Sequence, residues 1–492
     1  MSGKKVTIIG AGISSLSAAS FLGNAGYEVT ILEKNETIGG RGRQFTAEGF
    51  VFDMGPSWYW MPEVFENFYQ KFGYTTADFY ELKRLDPSYN VFWKDGTKTP
   101  IPASIDKLYD WFESQEIGSA PKLKKFLADA KYKYEVGMND LVFQPSLKYT
   151  EFADMRILKG LFKLQLLSSF SKYIRKYFKN EKILSLLEFP ILFLGAMPKD
   201  TPALYSLMNY ADISLGTWYP MGGMYHFIAA FEKIAKENGV KILTNHEVTG
   251  IKKDGKNVTH VATIHGDIET DILISGADYQ HTDDKILEKD ANYSEEYWDK
   301  RTMAPSSLLF YIGLNKKLTG LVHHNLFFDE DFEQHATEIY KNPMWPSAPL
   351  FYASVPSITD KSVAPEGCEN LFLLIPIAPD LKDDEATREK YFDLIMNRLE
   401  EKTGQKIKEN IVYKRSFCLN DFKKDYHAFK GNAYGLANTL KQTAIYKPSM
   451  KSKKLKNMFY TGQLTVPGPG VPPSIISGEV VAKQVMKEFG IK

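Results

Sequence analysis

The sequence predicts an α/β fold that opens with a dinucleotide-binding βαβ unit, and three observations carry that expectation. Val6 to Ile9 is a short apolar run suited to a buried parallel strand. Gly10 and Gly12 follow it and lead into a helix of small residues from Ser14 through Leu22. A second strand, Glu28 to Leu32, ends in Glu33, 23 residues after Gly10.

Each part has a physical reason. In such a unit the first glycine permits a tight turn and the second lets the backbone approach a pyrophosphate. The third makes room for close helix–strand packing. Here the third position is Ser15, the next smallest polar choice, which weakens packing slightly without blocking phosphate binding. Ile13, Ser14 and Ser15 form the first turn beside that phosphate. Ala19 and Gly26 keep the rest of the unit small. Glu33, with Lys34 next to it, stands where a carboxylate accepts hydrogen bonds from ribose hydroxyls.

Downstream, "NETIGGRGRQF" places Gly39, Gly40 and Arg41 just after the second strand, and "FVFDMGPSWYW" supplies Gly55, Pro56 and Ser57. Gly39-Gly40-Arg41 resembles the double-glycine motif of the flavin amine oxidase superfamily. The far end, "NMFYTGQLTVPGPGVPPSIISGEVVAKQVM", has a strand from Met458 to Thr461, a Gly/Pro-rich loop and a helix from Pro473. It is similar to the C-terminal flavin segment of bacterial carotenoid desaturases of the phytoene desaturase type, which include 1-hydroxycarotenoid 3,4-desaturases. That resemblance implies FAD as cofactor, with Gly462, Gly470, Val471, Pro472 and Ser474 among its contacts. A helix N-terminus at this point supplies oriented N–H groups to a reduced flavin.

The resemblance continues in the middle. "YPMGGMYHFIAAFEKIAKENGVKILTNHEVTGI" gives a helix after Gly222-Gly223, a strand from Lys241 to Leu243 and an edge strand near Val248. The resemblance implies that the backbone at Val248 pairs with adenine. "DILISGADYQHT" adds a strand ending at Gly276, Ala277 and Asp278, the last counted as a cofactor contact. "GNAYGLANTLKQTAIYKP" resembles the family's substrate-side approach to the C-terminal segment.

The expected architecture is a Rossmann-like, discontinuous FAD-binding domain built from residues 1–75, 218–285 and 455–492. A mixed-sheet substrate domain takes 76–217 and 286–454, with a helical cap around 120–215 that either associates with the membrane or packs on the domain. Runs such as "SSLLFYIGL" and "NLFLLIPIA" suit its sheet.

Composition limits the alternatives. A net charge of +1 gives no bulk attraction to nucleic acid. The two cysteines, Cys368 and Cys418, fit no metal or redox spacing, and the nine histidines form no ligand motif. His323 and His324 are adjacent and are expected to point apart in a strand. No nucleophile elbow or Cys/His pair is present, so the hard chemistry falls to the cofactor. No signal segment opens the chain, and the longest charge-poor stretch, Ile213 to Phe231, is broken by glycines and a proline. A cytoplasmic protein, peripheral on the inner face of the membrane, is expected.

Two segments bear on that membrane contact. In "QLLSSFSKYIRKYFK" (Gln165 to Lys179), Leu166, Leu167, Phe170, Tyr173, Ile174, Tyr177 and Phe178 share one helical face opposite lysines and Arg175. The face reads either as a membrane-surface anchor or as an ordinary core face. The run "KSKKLK" either adds to a basic patch or is a solvated face.

The expected chemistry is transfer of a hydride from an allylic carbon of a linear polyene to FAD, with quinone or dioxygen as final electron acceptor. No single acid–base residue is assigned. Trp58, Tyr59 and Trp60 are candidates for the wall of a hydrophobic carotenoid tunnel, against ordinary core packing. Phytoene desaturation and 3,4-desaturation of a 1-hydroxycarotenoid both remain open. A soluble flavin amine oxidase and a non-enzymatic prenyl-lipid escort protein are the alternatives. The intact Gly10, Gly12 and Glu33 set argues against the escort protein.

Overall fold

The computed structural model describes residues 3–148, 151, 165, 168–192 and 195–490. Its first layer is a five-stranded sheet in the order Met458–Tyr460, Ile272–Ser275, Lys5–Ile9, Glu28–Leu32, Lys241–Leu243. All its pairings are parallel. Val6 sits opposite Val29 and Ile272, and Ile8 opposite Ile31 and Ile274. Such strands are buried on both faces, which is why they read as unbroken apolar runs. The helices Ile13–Asn24, Tyr225–Glu237 and Val471–Phe489 cover this sheet.

The first and last of these helices pack unusually closely. A Cβ added to Gly478 would stand 2.3 Å from the Ser14 carbonyl oxygen and 2.6 Å from Ser17 Cβ. Ser17 Oγ then donates to the Ile475 carbonyl at 2.8 Å. Small residues on both helices make that approach possible. Val248–Asp254 is the edge strand of a separate antiparallel meander with Asn257–Thr263 and Gly266–Glu269.

The second layer is a seven-stranded mixed sheet. Its order is Ile411–Phe417, Ser306–Leu314, Glu369–Ile377, Phe351–Ser354, His324–Phe328, Tyr89–Trp93, Lys98–Ile101. Only His324–Phe328 against Tyr89–Trp93 is parallel. Alternate residues of Ser306–Leu314 serve two cores, as a period of two requires. Leu308, Phe310 and Ile312 pack under helix Glu385–Thr403, whereas Leu309 and Tyr311 join the core shared with Phe50 and Phe52.

Helices Ile105–Gln115, Ser119–Val136, Phe170–Ile174 and Glu181–Leu192 lie beside this sheet. The membrane-anchor reading of Gln165 to Lys179 is corrected here for its described part. Phe170, Tyr173, Ile174 and Phe178 are buried. The Phe126 ring meets Tyr173, Tyr177 and Phe178, so this apolar face is a core face. Leu166 and Leu167 lie outside the described residues. In the lysine run, Lys451 pairs with Glu488, Lys453 lies 3.8 Å over the Tyr293 ring and Lys454 donates to the Lys289 carbonyl. Among the described residues no helix is long and apolar enough to cross a membrane.

Candidate cofactor site

The carboxyl ends of the parallel strands open onto a cleft. Ligands of open parallel sheets gather at this edge. Gly10, Gly12, Ile13, Ser14, Glu33, Lys34, Gly40, Arg41, Val248, Asp278, Gly462 and Ser474 all line it. These residues come from three separated parts of the chain.

The turn after the first strand is built for a phosphate. Gly10 has φ +84°, a conformation that side chains rarely adopt. A Cβ placed on Gly12 would meet no protein atom within 4 Å, so that position faces open space. Gly12 caps helix Ile13–Asn24 without a side-chain hydrogen bond, and no acidic residue occupies the first turn. Its leading N–H groups and positive dipole end therefore suit an anion.

The third-glycine question has a structural answer. Ser15 is fully buried and does not line the cleft. A Cβ on Gly276 would stand 2.0 Å from Ser15 Oγ. The small residue needed for close helix–strand packing is therefore supplied by the neighbouring strand's end.

Glu33 accepts from the Ala11 N–H at 2.8 Å and from the Asn35 N–H and Nδ2 at 2.9 and 2.8 Å. Two carboxylate oxygens offer about four acceptor sites, which leaves capacity for a ribose hydroxyl. Gly40, at φ +55°, lies close enough to Gly12 that a Cβ would come within 3.3 Å of the Gly12 Cα. Arg41 donates through Nη2 to the Asn432 carbonyl at 3.1 Å, while its buried Nε has no partner among the described residues. Burial lowers the pKa of this guanidinium, with Asp278 acting in the opposite direction. An unpartnered cationic donor beside an uncapped helix N-terminus matches a pyrophosphate.

The remaining expected contacts divide: Asp278 lines the cleft, whereas Gly55, Pro56 and Ser57 do not. A Cβ on Gly55 would lie 2.4 Å from the Arg41 carbonyl oxygen, so this glycine admits the Arg41 backbone. Pro56 and Ser57 line a second, smaller cavity with Asp53, Tyr219 and His323. Asp278 caps the turn Tyr279–His281, accepting from Gln280 and His281 N–H groups at 3.0 and 3.3 Å. Its other oxygen accepts from the Phe429 N–H at 3.2 Å, and burial raises its pKa. Gly470 is exposed and Val471 and Pro472 are half-buried in the first turn of Val471–Phe489; none of the three lines the cleft.

The aromatic triplet divides. Trp58 stacks on the His324 ring at 4.2 Å and lies 5.3 Å from Trp60, with Phe189 near both. Tyr59 turns the other way, stacked on Phe65 at 4.2 Å with its hydroxyl 2.9 Å from that of Tyr80. Tyr59 thus packs on the side away from Trp58 and Trp60, because successive side chains of an extended segment alternate sides. His323 and His324 also depart from expectation. His323 precedes the strand His324–Phe328, and the two rings meet at 4.4 Å. Burial pushes the His323 pKa down to about 3 and that of His324 well below the usual value, so both rings are neutral.

Sequence reasoning missed His246, Glu247, His281, Asp425, Tyr426 and His427, which also line the cleft. No motif links residues so far apart. Among the described residues no group of three His, Cys, Asp or Glu could hold a metal ion. Cys368 and Cys418 are free thiols.

The chain matches the flavin containing amine oxidoreductase family over residues 13–486. It is 38% identical over 492 residues to a carotenoid 3,4-desaturase of Haloarcula japonica, covering 99% of each chain. It is 32% identical over 499 residues to a 4,4'-diapophytoene desaturase (4,4'-diaponeurosporene-forming) of Staphylococcus aureus, again over 99% of each. In fold it resembles an oxidoreductase from Methanosarcina mazei, with a TM-score of 0.66 at 16% identity, over 97% of this chain and 100% of that one. Putrescine oxidase bound to putrescine gives a TM-score of 0.61 at 13% identity, over 99% of each chain. The cleft fits a dinucleotide and the match runs nearly end to end, so the chain belongs to the flavin containing amine oxidoreductase family, with FAD as its cofactor.

Proposed function

We propose that the chain is an FAD-dependent carotenoid desaturase that introduces conjugated double bonds into a linear C40 carotenoid, by phytoene desaturation or 1-hydroxycarotenoid 3,4-desaturation. The observation that carries this reading is the 38% identity along 99% of both chains with a carotenoid 3,4-desaturase. In this reading residues 1–75, 218–285 and 455–492 bind the cofactor, and 76–217 and 286–454 hold the substrate. Quinone or dioxygen takes the electrons onward. Contact with the inner face of the membrane delivers the polyene to a cytoplasmic protein.

When bound, FAD supplies the acceptor for an allylic hydride. The chain's own task is positioning, because a reacting carbon must be held ~3–3.5 Å from its acceptor. Trp58, Trp60 and Phe189 give an apolar cluster of mutually tilted rings, chemically suited to a polyene. His324 completes it as a neutral ring, its Nδ1 2.6 Å from the Tyr352 hydroxyl. The wall therefore places no fixed charge beside the hydrocarbon. Positive charge next to a polyene is delocalised, so a weak base suffices for the proton that leaves, and no residue is assigned to it.

Expression in cells that accumulate phytoene, neurosporene or a hydroxylated carotenoid tests the reading. One of these pigments should gain double bonds, seen as a red shift and a mass loss of two hydrogens per step. No change in any of the three would overturn it. Purified protein should show no oxidation of amines.

A further inference from the structure

The cleft has a wall that arrives from the opposite layer. Helix Leu419–Tyr426 follows the edge strand Ile411–Phe417 of the seven-stranded sheet. Its last turn nevertheless brings Asp425, Tyr426 and His427 to the cofactor cleft. There the turn is tied to residues of the βαβ unit and its neighbours. Asp425 is ion-paired with Arg43, and its carbonyl accepts from Asn35 Nδ2 at 3.2 Å. Lys34 Nζ donates to the Lys424 carbonyl. His427 Nε2 lies 2.9 Å from Glu247 Oε1, and its ring stacks on that of His281 at 3.9 Å, nearly parallel. The Tyr426 ring holds two guanidinium groups, Arg41 at 5.1 Å and Arg43 at 5.2 Å.

Of these partners Lys34, Asn35, Arg41, Glu247 and His281 themselves line the cleft, and Arg43 stands behind it. A turn that served only packing would bury apolar side chains, whereas Asp425, Tyr426 and His427 are all half-buried. The His427 tie to Glu247 lies at a partly exposed surface and is individually weak, whereas Arg43 is buried and makes its pair with Asp425 the firmer hold. His427 also carries a left-handed backbone, φ +50°, which a residue with a side chain keeps only when its surroundings impose it.

We propose that Asp425–His427 is a cofactor-retaining latch, closing over the adenosine end of the FAD site while Tyr426 sets the position of Arg41. The latch rests on the reading that FAD occupies this cleft. Release of FAD then requires the turn to lift from Lys34, Arg43 and Glu247. The turn is a positioning element, since it acts on phosphate binding through Arg41.

Two measurements test it, neither of them turnover. The first is the rate at which FAD leaves the purified holoprotein, followed by the fluorescence of free flavin. Asp425→Ala combined with His427→Ala should raise it about tenfold or more, and His427→Ala alone, which leaves the buried Arg43 paired, should raise it severalfold with the unfolding midpoint of the FAD-free protein unchanged. The second needs no substitution. Trypsin should cut after the exposed Lys423 and Lys424 more slowly in the wild-type protein when FAD is present. A dissociation rate within twofold of wild type, or equal cutting with and without FAD, overturns the latch. Wild-type protein that takes up no FAD would instead remove the cofactor reading, and the latch with it.

Discussion

At the scale of single residues, the glycine-rich turn depends on where a missing Cβ leaves room. Ser15 stands where a third glycine is expected, and the clearance has moved to Gly276, whose missing Cβ makes room for Ser15 Oγ. Gly12 is different, because a side chain there has space in the protein but only the space that the pyrophosphate needs. Gly12→Val should therefore abolish the flavin absorbance of purified protein while leaving the midpoint of the FAD-free fold nearly unchanged. Ser15→Gly should keep its flavin. Lys447 gives a second residue-scale prediction. It is buried with no partner for Nζ among the described residues, and burial lowers its pKa to about 7. The unfolded chain holds that proton up to about pH 10.4, so it binds more protons than the native state across the window between. Wild-type stability should rise with pH from about 7 upward, by up to about 1.4 kcal/mol per unit from this group. Lys447→Met should be more stable at pH 7, and its advantage over wild type should shrink as pH rises. Parallel denaturation curves at pH 7 and pH 9 check the sign.

At the scale of elements, the helices that hold the cofactor end are set by what they omit. Gly478 lets Val471–Phe489 lie against Ile13–Asn24, and its nearest neighbour is a backbone carbonyl that cannot rotate away. Gly478→Ala should cost about 1–3 kcal/mol by overpacking, despite alanine's better helix propensity. It should also weaken FAD binding, since Gly12 and Ser474 belong to the two helices being pushed apart. A denaturant midpoint and a flavin titration on the same preparation measure both. These elements were legible because local pattern governs them: an apolar run, glycines, small residues, then an acid at the strand end. The segment from Gln165 to Lys179 was less so. Amphipathicity gives a helix an apolar face but does not say what covers it, and for Phe170, Tyr173 and Ile174 the cover is protein. The alternation of Trp58 and Tyr59 was hidden for a related reason: an aromatic cluster announces burial without announcing direction.

At the scale of the whole molecule, the cleft joins parts of the chain that sequence reading can only treat one at a time. Gly12 and Glu33 come from the N-terminal unit, Val248 and Asp278 from the middle, Tyr426 from beyond the mixed sheet, and Gly462 and Ser474 from the end. The first, second and last groups carry recognisable motifs, whereas the contribution around Tyr426 depends on how the two sheets face each other. A ligand that touches all four groups binds the native state and not the unfolded chain. Its binding free energy is therefore added to the stability of the fold, by about 2.7 kcal/mol at a hundredfold excess over the dissociation constant. FAD should raise the thermal midpoint of FAD-free protein steadily with the logarithm of its concentration. ADP, which presents the adenosine and pyrophosphate alone, should raise it less, because it leaves part of the cleft untouched. FMN lacks the adenosine half of FAD, and should shift the midpoint least. Equal shifts from FAD and FMN would mean that the adenosine end contributes nothing, and the placement of Glu33 in the site would then be wrong. The Gly12→Val protein should not respond to FAD at any concentration, which ties the whole-molecule effect back to a single open position in the first turn.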